Sequence, residues 1–133
     1  MKKITQKWFP FVRADMETAK ILLGQKNRNQ WLNISILWHC QQAIEKLLKA
    51  IMTEKNKELI KIHDLGRLQE LAEIELKEED LSLVLTLNQY YLRSRYPDLI
   101  YKALPDPSNQ LTQKLFNQTN ELYLWLMAEL KKM

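Results

Sequence analysis

The stretch QWLNISILWHCQQAIEKLLKAIMT, residues 30–53, decides the fold. Its apolar residues Ile34, Leu37, Cys40, Ile44, Leu47, Leu48 and Ile51 recur at three- and four-residue steps, which places them on one broad arc of an α-helix. At the standard rise such a helix is roughly 36 Å long. An arc that wide meets several neighbours at once, so the segment reads as the centre of a helical packing whose partners the rest of the chain must supply.

Partners are found on both sides. Upstream, Phe9 to Leu23 carries Val12, Met16, Ala19, Leu22 and Leu23 on one stripe and meets Gly24 as its stop. Downstream, the charged run Glu54 to Lys61 forms a connection, and His63-Asp64 precedes a short helix over Leu65 to Ala72, with Asp64 in position to cap it. A fourth segment, Glu78 to Arg95, carries Leu81, Val84, Leu85, Leu87, Tyr91 and Leu92, and it stops near Tyr96 because Pro97 disfavours helix in the residue before it. Pro105 and Pro107 extend the break. The last helix, Ser108 to Lys131, spaces Leu111, Leu115, Leu122, Leu126 and Leu130 along one face, with Ser108 as its N-cap. These five segments predict an all-α fold: an antiparallel up-and-down four-helix bundle with an additional short helix, in a single domain spanning residues 1–133.

Composition agrees. A chain of 133 residues suits one hydrophobic core, and two glycines with 46% hydrophobic residues disfavour an all-β fold, whose tight turns call on glycine. The 20 basic and 16 acidic residues give a net charge of +4 and are interspersed, so there is no basic tail, and charge by itself is slender support for a nucleic-acid partner. The single cysteine excludes an internal disulfide and a cysteine-built zinc site, and it fits a reducing compartment, so a cytoplasmic location is expected. The opening MKKITQKWFPF is interrupted by Gln6, Lys7 and Pro10 before any apolar run develops, so neither a signal peptide nor a membrane span is expected there.

Polar residues that fall on apolar stripes are the more informative positions. Asp15 projects between Phe11, Ala19 and Leu22; Gln41 sits near the centre of the long arc; Asn88 and Arg95 share a stripe with Leu81, Val84 and Tyr91. Burial of such groups costs free energy unless they bond to one another or to a ligand, so the spacing predicts an internal polar cluster of Asp15, Gln41, Asn88 and Arg95. Two structural alternatives stay open: rim positions in contact with water, or an Asp15–Arg95 ion pair. His39 and Cys40 are adjacent, so on a helix they diverge by about 100°, and no further ligand joins them; no metal site and no cofactor are expected. His39 falls on the polar side with Gln42, Lys46 and Lys49, where the two lysines are either solvated or phosphate contacts. Trp8, Trp31, Trp38 and Trp125 read as core or interface anchors, with Trp38 at the edge of its arc a place for a second subunit.

Gln41-Gln42-Ala43-Ile44-Glu45-Lys46-Leu47-Leu48-Lys49-Ala50 resembles the second-helix pattern of the HEPN (higher eukaryotes and prokaryotes nucleotide-binding) family. His63-Asp64-Leu65 follows at a fitting distance, and Arg95-Tyr96-Pro97-Asp98 resembles an element of one branch of that family. The resemblance covers nearly the whole chain. It implies an up-and-down helical bundle, a homodimer, a minimal nucleotidyltransferase as partner, a place in a toxin–antitoxin or defence system, and, in many members, ribonuclease action. The ribonuclease members carry an arginine followed four to six residues later by a histidine: the arginine stabilises phosphate charge and the histidine transfers protons near neutral pH.

None of the arginines here, Arg13, Arg28, Arg67, Arg93 and Arg95, is followed by a histidine at that spacing, and Leu99, Ile100, Tyr101 and Lys102 stand where one is expected. The family's usual ribonuclease chemistry is therefore not expected. The leading expectation is a module that binds nucleotide or RNA phosphate, with Arg93, Arg95, Tyr96 and Asp98 at the break of the fourth helix and Lys46, Lys49, His63 and Asp64 as further candidate contacts. For these residues a structural role also suffices: a cap from Asp64, or an Arg–Asp pair that fixes the turn after Pro97. Two other functions remain open. One is a ribonuclease using Arg93 or Arg95 with a non-histidine partner, and the other is a purely structural protein-interaction module.

Overall fold

A computed structural model describes residues 1–96 and 104–133. Among them lie six helices: α1 (Lys3–Gln6), α2 (Phe9–Leu23), α3 (Gln30–Glu54), α4 (Leu65–Leu71), α5 (Glu78–Arg95) and α6 (Asn109–Lys132). The five expected segments are all present, with their ends within a residue of expectation. The single turn α1 is additional, and tertiary bonds hold it: the Lys2 backbone N–H and the Thr5 hydroxyl each donate to Glu54 Oε1 at 2.9 Å, at the far end of α3.

Three of the helices start on a side-chain cap. Asn29, Asp64 and Ser108 accept from the backbone N–H groups of Leu32, Arg67 and Leu111, which satisfies donors that the first helical turn leaves unpaired. In α5 the charges follow the helix dipole, with Glu78, Glu79 and Asp80 in the first turn and Arg93 and Arg95 in the last.

Cross-helix bonds fix the directions. Trp8 Nε1 donates to Thr53 Oγ1 at 3.1 Å while Asp15 meets His39 and Lys46, so α2 runs antiparallel to α3. The last turn of α5 lies against Trp31–Trp38, so α5 also opposes α3. Asn33, buried in the first turn of α3, donates to the Pro107 carbonyl at 3.0 Å and to Asn109 Oδ1 at 2.8 Å, which sets α6 parallel to α3. The order is therefore up-and-down, and α3 packs against each of the other five helices. Its residues Ile36, Leu37, Ile44, Leu47, Leu48 and Ile51 are fully buried, as the width of the apolar arc requires.

The buried faces differ from expectation in two places. On α5 the core takes Leu83, Val84, Leu87, Tyr90 and Tyr91, while Leu81 and Leu85 are exposed. The cause is that α5 lies against both α3 and α6, so the buried arc centres on Leu87 rather than on the Leu81–Leu85 edge. On α2, Phe11 is 62% exposed although Asp15, one turn later, is buried. No helix among the described residues is long and apolar enough to cross a membrane.

Candidate nucleotide and phosphate site

The polar flank of α3 is built around two buried carboxylates. Asp15 reaches from α2 and is 7% exposed; its Oδ1 lies 3.0 Å from His39 Nδ1 and its Oδ2 accepts from Lys46 Nζ at 2.6 Å. Burial acts to raise the pKa of Asp15, but the hydrogen bonds from His39 and Lys46 outweigh it and hold the carboxyl below its ordinary value. His39 and Lys46, seven residues apart, share one face of α3, and that spacing allows both to grip a single carboxylate.

Glu45, 4% exposed, forms the second centre. Its Oε1 lies 2.9 Å from His63 Nδ1, and its Oε2 accepts from Lys49 Nζ at 3.2 Å. Gln41 donates to the His63 carbonyl at 2.7 Å and accepts from Gln42 Nε2 at 2.7 Å. An ionised carboxylate only accepts, so in both centres the imidazole Nδ1 carries the proton and Nε2 is left for other partners.

Asp15, Gln41, Asn88 and Arg95 therefore do not form one internal cluster, and Asp15 pairs with Lys46 rather than with Arg95. Asp15 and Gln41 point from the α2 and α4 sides of α3 into separate networks. Asn88 accepts from the Leu65 backbone N–H at 3.0 Å and donates to Asp64 Oδ1 at 3.1 Å, which pins the start of α4 to α5. Arg95 is exposed, its guanidinium carbon 5.8 Å from the centre of the Tyr91 ring. The expected α5 stripe is buried only in part: Val84 and Tyr91 face the core, while Leu81 and Arg95 are exposed. Lys46 and Lys49, the candidate phosphate contacts, have their charges engaged by Asp15 and Glu45. Asp64 has two structural bonds, as N-cap and as partner of Asn88. Cys40 is enclosed, and burial pushes its thiol up to about 12, so it is inert as a nucleophile.

Arg93 and Arg95 do come together. With Ser94 they form one wall of a cleft of about 440 Å³, and Trp31, Ile34, Ser35 and Trp38 of α3 form the other. Arg93 also pairs with Asp106 and donates to the Pro105 carbonyl at 3.4 Å, bridging to the chain that leads into α6. The acid that Arg93 pairs with is Asp106, and the turn after Pro97, where the sequence places an Arg–Asp pair, lies outside the described residues. Tyr96 closes α5 as its C-cap, is exposed, and lies outside the cleft lining. Asp98 lies outside the described residues. A larger groove of about 670 Å³ runs between α5 and α6, but Glu78 and Glu79 sit beside Lys77 and Lys114 there, so it offers no net attraction to an anion. Among the described residues no group of three or more His, Cys, Asp or Glu is arranged to hold a metal ion.

The sequence reading missed the role of Trp31, Trp38 and Ser35 as a wall facing the arginines, and Glu45 as the hub of a network. A signal for the latter was present: Gln41, Glu45 and Lys49 recur every four residues, so they stack along one face.

An up-and-down helical bundle with an arginine-bearing cleft beside its central helix is the class that fold and site define. The sequence model of the HEPN domain family matches residues 5–130. The chain belongs to the HEPN domain family. Its fold is similar to that of an archaeal HEPN homologue known from a crystal structure, with a TM-score of 0.70 and 20% identity over 98% of this chain and 99% of that one. A comparison with curated proteins finds no match.

Proposed function

We propose that this HEPN domain binds the phosphate of a nucleotide or of RNA in the cleft between α3 and α5, as a cytoplasmic homodimer that works beside a minimal nucleotidyltransferase in a toxin–antitoxin or defence-type system. The partner and the system rest on what the family resemblance implies. The phosphate rests on one observation of this chain: Arg93 and Arg95, two residues apart at the end of α5, line the same cleft. Guanidinium groups match phosphate oxygens in shape as well as charge. Calorimetric titration with ATP, GTP and a short RNA tests the reading, with light scattering to report the oligomeric state. Binding is expected for the wild type and lost in a folded Arg93→Ala/Arg95→Ala variant. Equal binding by both proteins would move the ligand elsewhere.

A second reading, RNA cleavage, has one observation in its favour. His63, held by Glu45, lies 5.5 Å from the Tyr91 ring, on which Arg95 also rests, so a histidine from a different segment stands near the arginine. It predicts RNA scission that disappears in His63→Ala while RNA binding persists.

A further inference from the structure

Trp31 is 64% exposed on α3, and Trp38, seven residues on, lines the same cleft with Ile34 between them. That spacing separates the two indoles by about 10 Å along the helix axis. A tryptophan left in water is an unused apolar surface, and here it lines a cleft whose other wall carries Arg93 and Arg95. Trp38 meets His39 edge-on, ring centres 4.9 Å apart, and His39 in turn bonds to Asp15, so the Trp38 side of this wall is tied into the network of α2 and α3. Across the cleft, Arg95 is held over Tyr91 and, among the described residues, makes no ion pair. The hydroxyls of Ser35 and Ser94 line the space between.

We infer that the cleft is a base-stacking subsite: an unpaired nucleobase lies against Trp31 while its phosphate meets Arg95, so the ligand is single-stranded RNA rather than a duplex or a bare phosphate. This rests on the phosphate reading above. Charge decides the occupant. Arg95, which makes no ion pair among the described residues, beside an indole and two hydroxyls suits a ligand with a flat apolar face, a hydrogen-bonding edge and an anionic group, and an unpaired nucleotide has all three. The volume of about 440 Å³ accommodates a base with its ribose. In a duplex the faces of the bases are already stacked and unavailable.

The test compares, by calorimetry, a six-residue oligoadenylate with an abasic oligomer of the same length, and with a duplex RNA. The first two carry the same phosphates and differ only in bases. The wild type is expected to bind the oligoadenylate about tenfold or more tighter than either of the others. Trp31→Ala should abolish that preference while keeping the weaker binding of the abasic oligomer, and Trp31→Phe should restore part of it. Trp31 is mostly exposed, and circular dichroism checks that its variants remain folded. Equal binding of oligoadenylate and abasic oligomer by the wild type overturns the stacking subsite and leaves the phosphate reading intact. No binding of any oligomer overturns both. A dimer that dissociates in Trp31→Ala, with no discrimination between oligomers, assigns the surface to a second copy of the chain and overturns the inference.

Discussion

Asp15 gathers two basic side chains around one buried carboxylate, and the arrangement has a pH signature. Its folded pKa lies below the ordinary 3.8, so as acid is added the unfolded chain takes up the proton first. The contribution of Asp15 to stability is therefore complete above about pH 4 and is lost as pH falls through the folded value. Urea unfolding between pH 3 and 7 should show a steeper acid loss for the wild type than for Asp15→Asn, and the variant should be weaker at neutral pH by about 1–3 kcal/mol. Glu45→Ala strips the common acceptor from His63 and Lys49, and a loss of about 3 kcal/mol is expected in the same assay. At this scale the sequence told which residues had to find partners but not which partners they found. Asp15 was legible as a buried acid because it interrupts an apolar stripe. Its pairing with His39 and Lys46 depends on how α2 is rotated against α3, and no periodicity within one helix carries that information.

The short helix α4 has seven residues, too few to persist alone in water. It is held by the Asp64 cap, by Asn88 from α5 and by the burial of Leu65 and Leu68. Asn88→Ala leaves the Leu65 N–H and Asp64 without their α5 partner. Hydrogen exchange should then accelerate across residues 65–71 well before that of α3, since local opening needs only this docking to fail. Long elements were legible because each repeats its apolar period several times: α3 and α6 fall within a residue of expectation. The four-residue α1 has no room for a period, and its existence depends on Glu54 at the other end of α3. The rotation of α5 was illegible for a related reason. Leu81 and Leu85 form as good a stripe as Leu83 and Leu87, and only the position of α6 chooses between them.

Taken whole, the molecule intersperses its charges rather than gathering them into a basic tail, so salt should weaken RNA binding mainly through the cations of the cleft. With one or two arginine–phosphate contacts on a single strand, the slope of log K against log salt should lie between about −0.7 and −1.4. A much steeper slope would implicate basic residues beyond Arg93 and Arg95. Because α3 packs on every other helix, heat should melt the chain in one transition rather than in stages, seen as coincident circular dichroism and tryptophan fluorescence curves.

The same helix that unites the core also forms the indole-bearing wall of the cleft, and this constrains how such a protein can diversify. Replacements at the buried positions of α3 disturb the core, so on that side a lineage has freedom chiefly at exposed positions such as Trp31. The opposite wall ends a helix, and its exposed residues Ser94 and Arg95 can be rewritten with small structural cost, whereas Arg93 is tied to the chain leading into α6. Novelty in what this scaffold recognises should therefore accumulate at these exposed positions, with the buried face of α3 as its inherited frame.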